Sequence, residues 1–149
     1  MLRSWVRCAA ASAVTLFCLL AVPAGAAANT EQVVAYISLS DQRMDVYVEG
    51  YLEHSWAVST ARRGYRTPTG SWRPVRTHKM WYSRKYDMTP MPYSIFFYKG
   101  YAIHGTDVIK RLGRPASHGC VRLHPNNAKQ LYGLVKSYGM QNTRIVITQ

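Results

Sequence analysis

Residues 33–59 read VVAYISLSDQRMDVYVEGYLEHSWAVS, and this stretch decides the fold class. It begins with an apolar run rich in β-branched side chains. Apolar residues then alternate with polar or aromatic ones, which is the pattern of a strand with one buried face. Glu49-Gly50 is a turn signal before a third run. The pattern predicts three successive strands, over residues 33–39, 44–48 and 51–59.

The remainder of the chain continues as strands separated by two loops. Residues 77–92 hold several aromatic side chains and two prolines without any period, so a loop is predicted there. Residues 105–116 are predicted to form a second loop, rich in basic side chains. Further strands are expected over residues 71–76, 93–98, 101–104, 121–123 and 143–148.

One helix is predicted near residue 125. Pro125 suits the first helical position, where the missing N–H needs no partner. Gly139 is a natural stop. An apolar face recurs at helical spacing between them, formed by Ala128, Leu131, Tyr132, Val135 and Tyr138. The predicted fold class is therefore mainly β, a sandwich or partly closed barrel of mixed strands with one packed α-helix.

Length and composition limit the chain to one compact domain. It has 149 residues, of which 48% are hydrophobic and 17% charged. Such a chain is too apolar to be disordered, and too short for two ordinary domains of roughly 100–200 residues each. The formal net charge of +12 favours acidic partners.

The first 28 residues have the features of a secretory signal peptide. Arg3 and Arg7 precede an apolar stretch, and an Ala-x-Ala site follows it. The stretch is short for a permanent membrane anchor, which needs about 20 apolar residues; an uncleaved anchor is the alternative. Cleavage after Ala26 or Ala28 is expected, leaving residues 29–149 as one domain whose charge, without the two arginines, is +10.

Cleavage would also leave a single thiol. Cys8 and Cys18 lie in the predicted signal peptide, so Cys120 alone remains. Exported compartments favour disulfides, and a lone cysteine has no partner within its own chain. Cys120 must then be buried and inert, paired with another chain, or used as a thiol.

The segment around Cys120 has the residue types that thiol chemistry needs. It reads His104-Gly105-Thr106, then a basic loop, then SHGCVR over residues 117–122. A free thiol has a pKa near 8.5, so little thiolate exists at neutral pH unless an imidazole takes the proton. His104 ends one predicted strand and Cys120 begins another, so the loop between them can bring the two side by side.

Neighbouring residues in this segment have plausible supporting roles. His118 is two residues from Cys120, so both side chains share a face if the segment is extended. Gly119 has no side chain, which would let an acyl group approach the backbone. Backbone N–H groups there would serve as an oxyanion hole, and Arg122 would bind a carboxylate.

Together these residues resemble the signature of the L,D-transpeptidase catalytic domain family (YkuD-like). The resemblance rests on Ser-His-Gly-Cys-Val-Arg over residues 117–122, on a histidine 16 positions before the cysteine, and on a predicted turn, Thr-Pro-Thr-Gly over residues 67–70. It extends from about Val33 to Ile147. It implies the mainly β catalytic fold of that family and an exported enzyme that acts on peptidoglycan.

The resemblance also implies a role for each site residue. Cys120 would be the nucleophile and His104 the general base, with the Gly105 carbonyl orienting the imidazole as an aspartate does in a serine-protease triad. Arg122 would face the substrate. No metal or cofactor is implied. Three further residues would shape the pocket and the oxyanion side: Ser117, His118 and Gly119.

The implied reaction has two steps. The thiol attacks the carbonyl of the L-centre of a diamino acid at the third position of a tetrapeptide stem, and the terminal D-alanine leaves a thioester behind. An amine of a neighbouring stem then takes the acyl group, which gives a 3→3 cross-link. Water as acceptor would make an L,D-carboxypeptidase, and an amine on a lipoprotein would make an anchoring enzyme. The expected partners are peptidoglycan stem peptides in the periplasm or cell wall, not nucleic acid, with no membrane span after cleavage.

Two other classes of protein remain possible from the sequence. One is a non-catalytic peptidoglycan-binding module of the same fold. The other is a zinc hydrolase or zinc-stabilised module that uses His118, Cys120 and His124, although their spacing fits no standard zinc finger.

Several other residues are predicted to serve the structure rather than the chemistry. His54 and His78 lie outside the motif and are interpreted as surface or loop residues. Arg62, Arg63 and Arg66 are expected on a solvated face. Core packing or loop anchoring, rather than stacking on sugars, is the expected role of a set of aromatic residues: Trp72, Trp81, Tyr82 and Tyr86.

Overall fold

The computed structural model describes residues 31–149, which form nine strands and one α-helix. The predicted signal peptide over residues 1–28 lies outside the described residues, as do Cys8 and Cys18 within it. Among residues 31–149, no helix is long and apolar enough to cross a membrane.

The first sheet has five strands in the order β3-β2-β1-β9-β4. The strands predicted over the opening stretch are confirmed, with a slightly earlier end for two of them. The strands are β1 (Val33–Ser38), β2 (Arg43–Val48), β3 (Tyr51–Ala57), β4 (Gly70–Trp72) and β9 (Thr143–Thr148).

The centre of this sheet joins the two ends of the described chain. Strand β9 runs parallel to β1, with Ala35 opposite Ile145 and Ile37 opposite Ile147. These four side chains are buried on one face, as the alternating sequence pattern predicted. The other neighbours in the sheet are antiparallel, so the sheet is mixed.

The second sheet has four strands in the order β5-β6-β7-β8, and it positions the predicted site residues. Its last two strands are parallel neighbours, and both were predicted. The strands are β5 (Arg76–Ser83), β6 (Thr89–Tyr98), β7 (Tyr101–Gly105) and β8 (Val121–Leu123).

The predicted loop over residues 77–92 is wrong, because most of it is strand. Pro90 and Pro92 lie within β6, opposite Tyr82 and Met80 of β5. Proline is tolerated in a strand that has a free edge. Pairing of β6 with β7 begins only at Ile95, so the part that contains the prolines has a neighbour on one side alone.

The predicted helix is confirmed and packs across β6 and β7. Helix α1 spans Pro125–Tyr138, and its buried face is formed by Ala128, Leu131 and Val135. The His124 ring is its N-cap, accepting a hydrogen bond from the Asn126 N–H at 3.2 Å. The loop over residues 105–116 holds one short 3₁₀ helix, Ile109–Arg111.

One main core connects both sheets and the helix. It contains apolar residues of β1, β2 and β9 from the first sheet and of β6, β7 and β8 from the second, together with the helix face. The predicted mainly β class is therefore confirmed, in the form of two mixed sheets with one helix. The sheets do not close into a barrel.

Candidate active site

A cavity of about 410 Å³ opens over the second sheet and holds the predicted catalytic residues. Cys120 and His104 both line it, as do Ser117, His118 and Arg122. The apolar floor is a small cluster distinct from the main core, in which Cys120 packs with Met91, Phe96, Ala102 and Trp81.

Parallel pairing of β7 with β8 brings the two halves of the motif together. His104 lies opposite Arg122, and Ile103 lies opposite Val121. Cys120 immediately precedes β8 and lies beside Ala102, with whose backbone it forms a hydrogen bond. Because side chains alternate between faces, Cys120, Arg122 and His104 project from the same side of the sheet.

His104 is buried and held in one orientation. Its Nδ1 lies 2.7 Å from the Gly105 carbonyl oxygen, which can only accept, so Nδ1 carries the hydrogen and Nε2 keeps a free lone pair. Burial lowers the pKa of His104 to about 4, with a smaller contribution from the Arg122 charge, although the hydrogen bond to Gly105 opposes the shift. The imidazole is therefore neutral near pH 7.

Cys120 is partly exposed to the cavity. Burial raises the pKa of the Cys120 thiol, and the hydrogen bond with Ala102 and the charge of Arg122 act in the opposite direction. With His104 neutral as well, this environment favours an uncharged thiol–imidazole pair at rest over an ion pair.

The backbone before Cys120 is fixed by buried hydroxyl groups. The Gly119 N–H donates to Ser117 Oγ at 3.0 Å, and Thr67 Oγ1 donates to the Gly119 carbonyl at 2.8 Å. The same Thr67 oxygen accepts from the Ala61 N–H at 3.0 Å. Thr67 belongs to the predicted Thr-Pro-Thr-Gly turn, so this turn orients the peptide that precedes the thiol.

The backbone conformation and packing at position 119 both require glycine. Its φ of +132° lies outside the range that L side chains adopt readily. A Cβ there would lie 2.7 Å from the Tyr101 ring and 2.9 Å from the Arg66 carbonyl oxygen. The space is therefore filled by the protein's own atoms, and the glycine allows close packing of the loop.

The ring of His118 lies between two tyrosines that the sequence did not assign to the site. Tyr86 stacks on it with ring centres 4.6 Å apart and planes 15° apart. Tyr65 meets it edge-on, also at 4.6 Å. Burial lowers the pKa of His118, and the nearby charges of Arg62, Arg122 and Lys85 lower it further.

The hairpin that joins β5 to β6 forms one wall of the cavity. Residues 84–88 are its turn, and Arg84, Lys85 and Tyr86 line the cavity. Tyr86 therefore anchors a loop, as predicted, and does so on a motif residue. On the other side of His118, the Arg62 guanidinium lies 4.9 Å from the centre of the Tyr65 ring. Arg62, Arg63 and Arg66 are exposed, as predicted.

The cavity is strongly cationic. Four basic side chains line it, and within the described part of the chain no acidic residue does. Arg122 is half-buried at its base, and burial lowers the pKa of its guanidinium. The four basic residues are Arg76, Arg84, Lys85 and Arg122.

The remaining histidines do not line the cavity. His54 stacks on Trp56 in the first sheet. His78 was predicted to be a surface or loop residue, but it lies in β5 with its ring against Trp81 and Phe96, and its buried Nε2 has no hydrogen-bond partner among the described atoms. Among residues 31–149, no three His, Cys, Asp or Glu side chains are grouped as metal ligands, and His124 caps the helix.

Fold and site together define a catalytic domain with a thiol and an imidazole at the edge of a β-sheet. The sequence profile of the YkuD family, described as the L,D-transpeptidase catalytic domain, matches residues 32–147. The chain therefore belongs to the L,D-transpeptidase catalytic domain family. No curated protein sequence matches it.

Solved structures of L,D-transpeptidases share the fold. One from Stackebrandtia nassauensis is 26% identical with a TM-score of 0.69, and the alignment covers 79% of this chain and 56% of that one. One from Xylanimonas cellulosilytica is 25% identical with a TM-score of 0.67, covering 80% and 61%. L,D-transpeptidase 3 from Mycobacterium tuberculosis, in complex with a faropenem-derived adduct, is 20% identical with a TM-score of 0.67, covering 79% and 60%. The present chain thus spans less than two thirds of each of these proteins.

Proposed function

We propose that this protein is a peptidoglycan L,D-transpeptidase with Cys120 as its nucleophile and His104 as its general base. One observation carries the proposal. A cationic cavity holds the thiol together with an imidazole whose Nδ1 is committed to the Gly105 carbonyl, so that Nε2 is free to accept a proton. Orientation of the imidazole by a third group is a general feature of activated nucleophiles.

In the first step, a tetrapeptide stem is the acyl donor. His104 Nε2 takes the thiol proton as Cys120 Sγ attacks the carbonyl of the L-centre of the diamino acid, and a tetrahedral intermediate forms. The C–N bond to D-alanine then breaks, and the imidazolium returns the proton to the leaving amine. The product is a thioester on Cys120, and the His104 imidazole is neutral again.

The oxyanion that forms in this step needs donors that are still available. The Gly119 N–H already donates to Ser117 Oγ, so Ser117 and Gly119 act by fixing the loop. The proposed donors are the backbone N–H of Cys120 and the ring of His118, which Tyr65 and Tyr86 hold in place. Arg122 lies beside them and would bind a carboxylate of the donor.

In the second step, an amine of a neighbouring stem attacks the thioester. His104 removes its proton, the new amide forms, and the thiol is regenerated, which gives the 3→3 cross-link. Water in place of the amine gives L,D-carboxypeptidase activity, and a lipoprotein amine gives an anchored protein. No metal or cofactor takes part in either step as proposed.

The proposed place of action is the periplasm or cell wall, after cleavage of the signal peptide at residues 1–28. We expect N-terminal sequencing of the exported protein to begin between Ala27 and Asn29. A secreted form that retains Met1 or Leu2 would contradict cleavage and favour an anchor.

The central test is incubation of the protein with disaccharide–tetrapeptide muropeptides, followed by mass spectrometry. We expect a dimer with loss of D-alanine; a tripeptide product alone would indicate the carboxypeptidase. Cys120→Ser should lower turnover at least about 10³-fold, because a hydroxyl is a much weaker nucleophile near neutral pH. His104→Gln should lower it by about 10²–10⁴-fold. His54→Gln, in the first sheet, is the matched control and should leave turnover unchanged.

Acylation by a penem provides a second measurement. A faropenem-derived adduct is present in the Mycobacterium tuberculosis relative. If Cys120 is the nucleophile here, faropenem should add a mass to the wild-type protein that the Cys120→Ser protein does not gain. A protein that binds muropeptides without turnover or adduct would instead be a non-catalytic binding module.

A further inference from the structure

Arg76 is the cavity cation whose guanidinium lies over two aromatic rings. Its guanidinium carbon lies 4.0 Å from the centre of the Phe96 ring and 5.1 Å from the centre of the Trp81 ring. A guanidinium stacked on aromatic faces keeps the N–H donors along its edge available. The side chain therefore has a defined place in the cavity wall without having used its hydrogen-bonding capacity.

Nothing in the described part of the chain neutralises this cation. The ion pairs within residues 31–149 join Glu31 to Arg73 and Arg144, and Asp45 to Arg43, and none of them includes Arg76. A guanidinium without an acidic neighbour has its fork of N–H donors free for a carboxylate that arrives with a ligand. Arg76 is exposed, so a ligand in the cavity can reach these donors.

Sheet register relates Arg76 to the nucleophile. Arg76 pairs with Phe96, Phe96 pairs with Ala102, and Ala102 lies beside Cys120. These residues form one row across the sheet. With strands about 4.8 Å apart, the backbones of Arg76 and Cys120 are separated by about 14 Å.

The guanidinium itself is nearer to the thiol than its backbone is, because it lies over the ring of Phe96. A carboxylate bound there would be about 10 Å from Sγ, which is two to three residues of extended peptide at about 3.4 Å each. A bound stem peptide spans that distance while its scissile carbonyl is at Cys120.

We propose that Arg76, stacked on Phe96 and Trp81, forms a carboxylate-binding subsite that selects donor stems carrying a free carboxylate away from the scissile bond. This inference rests on the proposed function, since it names a feature of the donor. A stem has two such carboxylates that are either free or amidated, one on the second residue and one on the D-centre of the diamino acid. Both have the chemistry that Arg76 recognises, and the experiment distinguishes them.

The test combines enzyme variants with donor variants. Four tetrapeptides are compared: the unmodified stem, the stem amidated at the second residue, the stem amidated at the diamino acid, and the stem amidated at both. For the unmodified stem, Arg76→Gln should lower kcat/KM about tenfold, since hydrogen bonds between charged groups are worth more than neutral ones. For the stem in which the carboxylate bound by Arg76 is amidated, the same variant should change kcat/KM less than twofold.

Controls separate recognition from folding. Arg43→Gln removes one positive charge from the first sheet and should have no effect on any donor. Arg76→Lys keeps the charge but loses the planar fork, and should fall between wild type and Arg76→Gln. Equal rates of iodoacetamide alkylation at Cys120 in all variants would show that the nucleophile and its surroundings are intact.

Binding to a Cys120→Ser protein tests the subsite without turnover. We expect the unmodified stem to bind about tenfold more weakly when Arg76→Gln is added to this protein. The stem in which the carboxylate bound by Arg76 is amidated should bind equally well with and without Arg76→Gln. If binding follows this pattern but the wild type shows no turnover, the proposed transpeptidase function is refuted and the proposed Arg76 subsite is supported. An equal effect of Arg76→Gln on all four stems, or no effect on any, would overturn the inference, as would failure of the unmodified stem to bind.

Discussion

Burial of His104 makes the stability of the protein depend on pH. The folded chain keeps this imidazole neutral down to about pH 4, whereas in the unfolded chain it takes up a proton near pH 6.5. The stabilisation is therefore complete above pH 6.5 and is lost as the pH falls toward 4. We expect the free energy of unfolding to fall by about 2–3 kcal/mol between pH 7 and 4.5 on account of this residue, measured by urea denaturation.

The matched variant for that experiment is His104→Gln, which keeps a planar polar side chain but does not titrate. Its free energy of unfolding should change much less over the same range. A wild-type slope that persists in His104→Gln would assign the pH dependence to other groups.

Thr67 provides a second prediction at the residue scale. Its buried hydroxyl donates to the Gly119 carbonyl and accepts from the Ala61 N–H, which is partly buried. Thr67→Val has the same shape but leaves both backbone groups without a partner, so we expect a loss of about 1–3 kcal/mol in stability. The rate of faropenem acylation should fall as well, because the peptide before Cys120 loses its orientation.

The control for Thr67 lies two residues away. Thr69→Val is the same substitution in the same turn, at an exposed position. Thermal unfolding and acylation should both remain at wild-type values. Similar losses in Thr69→Val would show that the turn, and not the Thr67 hydroxyl, is responsible.

At the scale of elements, the β5–β6 hairpin positions His118 through one ring. Tyr86 stacks on the imidazole, and aromatic pairs contribute about 0.5–1.5 kcal/mol beyond the area they bury. We expect Tyr86→Ala to slow acyl transfer about three- to tenfold, whereas Tyr86→Phe, which keeps the ring, stays near wild type. Single-turnover acylation by faropenem measures this step.

Tyr82→Ala is the comparison, since Tyr82 is an exposed ring in the same hairpin that does not line the cavity. Its acylation rate should not change. If Tyr86→Phe were as slow as Tyr86→Ala, the phenol hydroxyl and not the stacking would carry the effect.

Elements whose signals are local were predictable from the sequence. Helix α1 was defined by Pro125, Gly139 and a 3.6-residue period. The strand that holds His104 and the strand that follows Cys120 were defined by short apolar runs beside the motif. Strand β5 was missed because its residues show no period. The first part of β6 was missed because its prolines argue against a strand unless one edge is free. That freedom depends on where β7 begins to pair, which is a property of the sheet and not of the local sequence.

The same distinction applies to the site. Motif residues that line the cavity were identified, since they are close together in sequence around Cys120. Tyr86 and Arg76 are distant from the motif in sequence and reach the cavity only through the packing of the hairpin and the sheet register. Tyr65 is equally distant in sequence and contacts the ring of His118. An aromatic residue in a loop has no local signal that distinguishes packing on the surface from packing on a histidine of the motif.

At the scale of the whole molecule, the positive charge should guide anionic stems to the cavity. Residues 29–149 carry +10, and the cavity contributes four cations without an acid among its described lining. We expect kcat/KM for the unmodified stem to fall as salt rises from about 0.02 to 0.3 M, because salt screens this attraction. Alkylation by uncharged iodoacetamide should be insensitive to the same change, and an equal salt effect on both reactions would contradict guidance by charge.

The parallel pairing of β1 with β9 has a consequence for how the protein folds during synthesis. Val33 pairs with Thr143, so β1 lacks β9, one of its two neighbours, until nearly the whole domain has been made. Strand β4 is also unpaired until then, because it pairs with β9. Contacts of such long range are slow to form, and a chain emerging from the ribosome cannot complete this sheet early. Under the proposed export, that delay would keep the chain unfolded while it crosses the membrane.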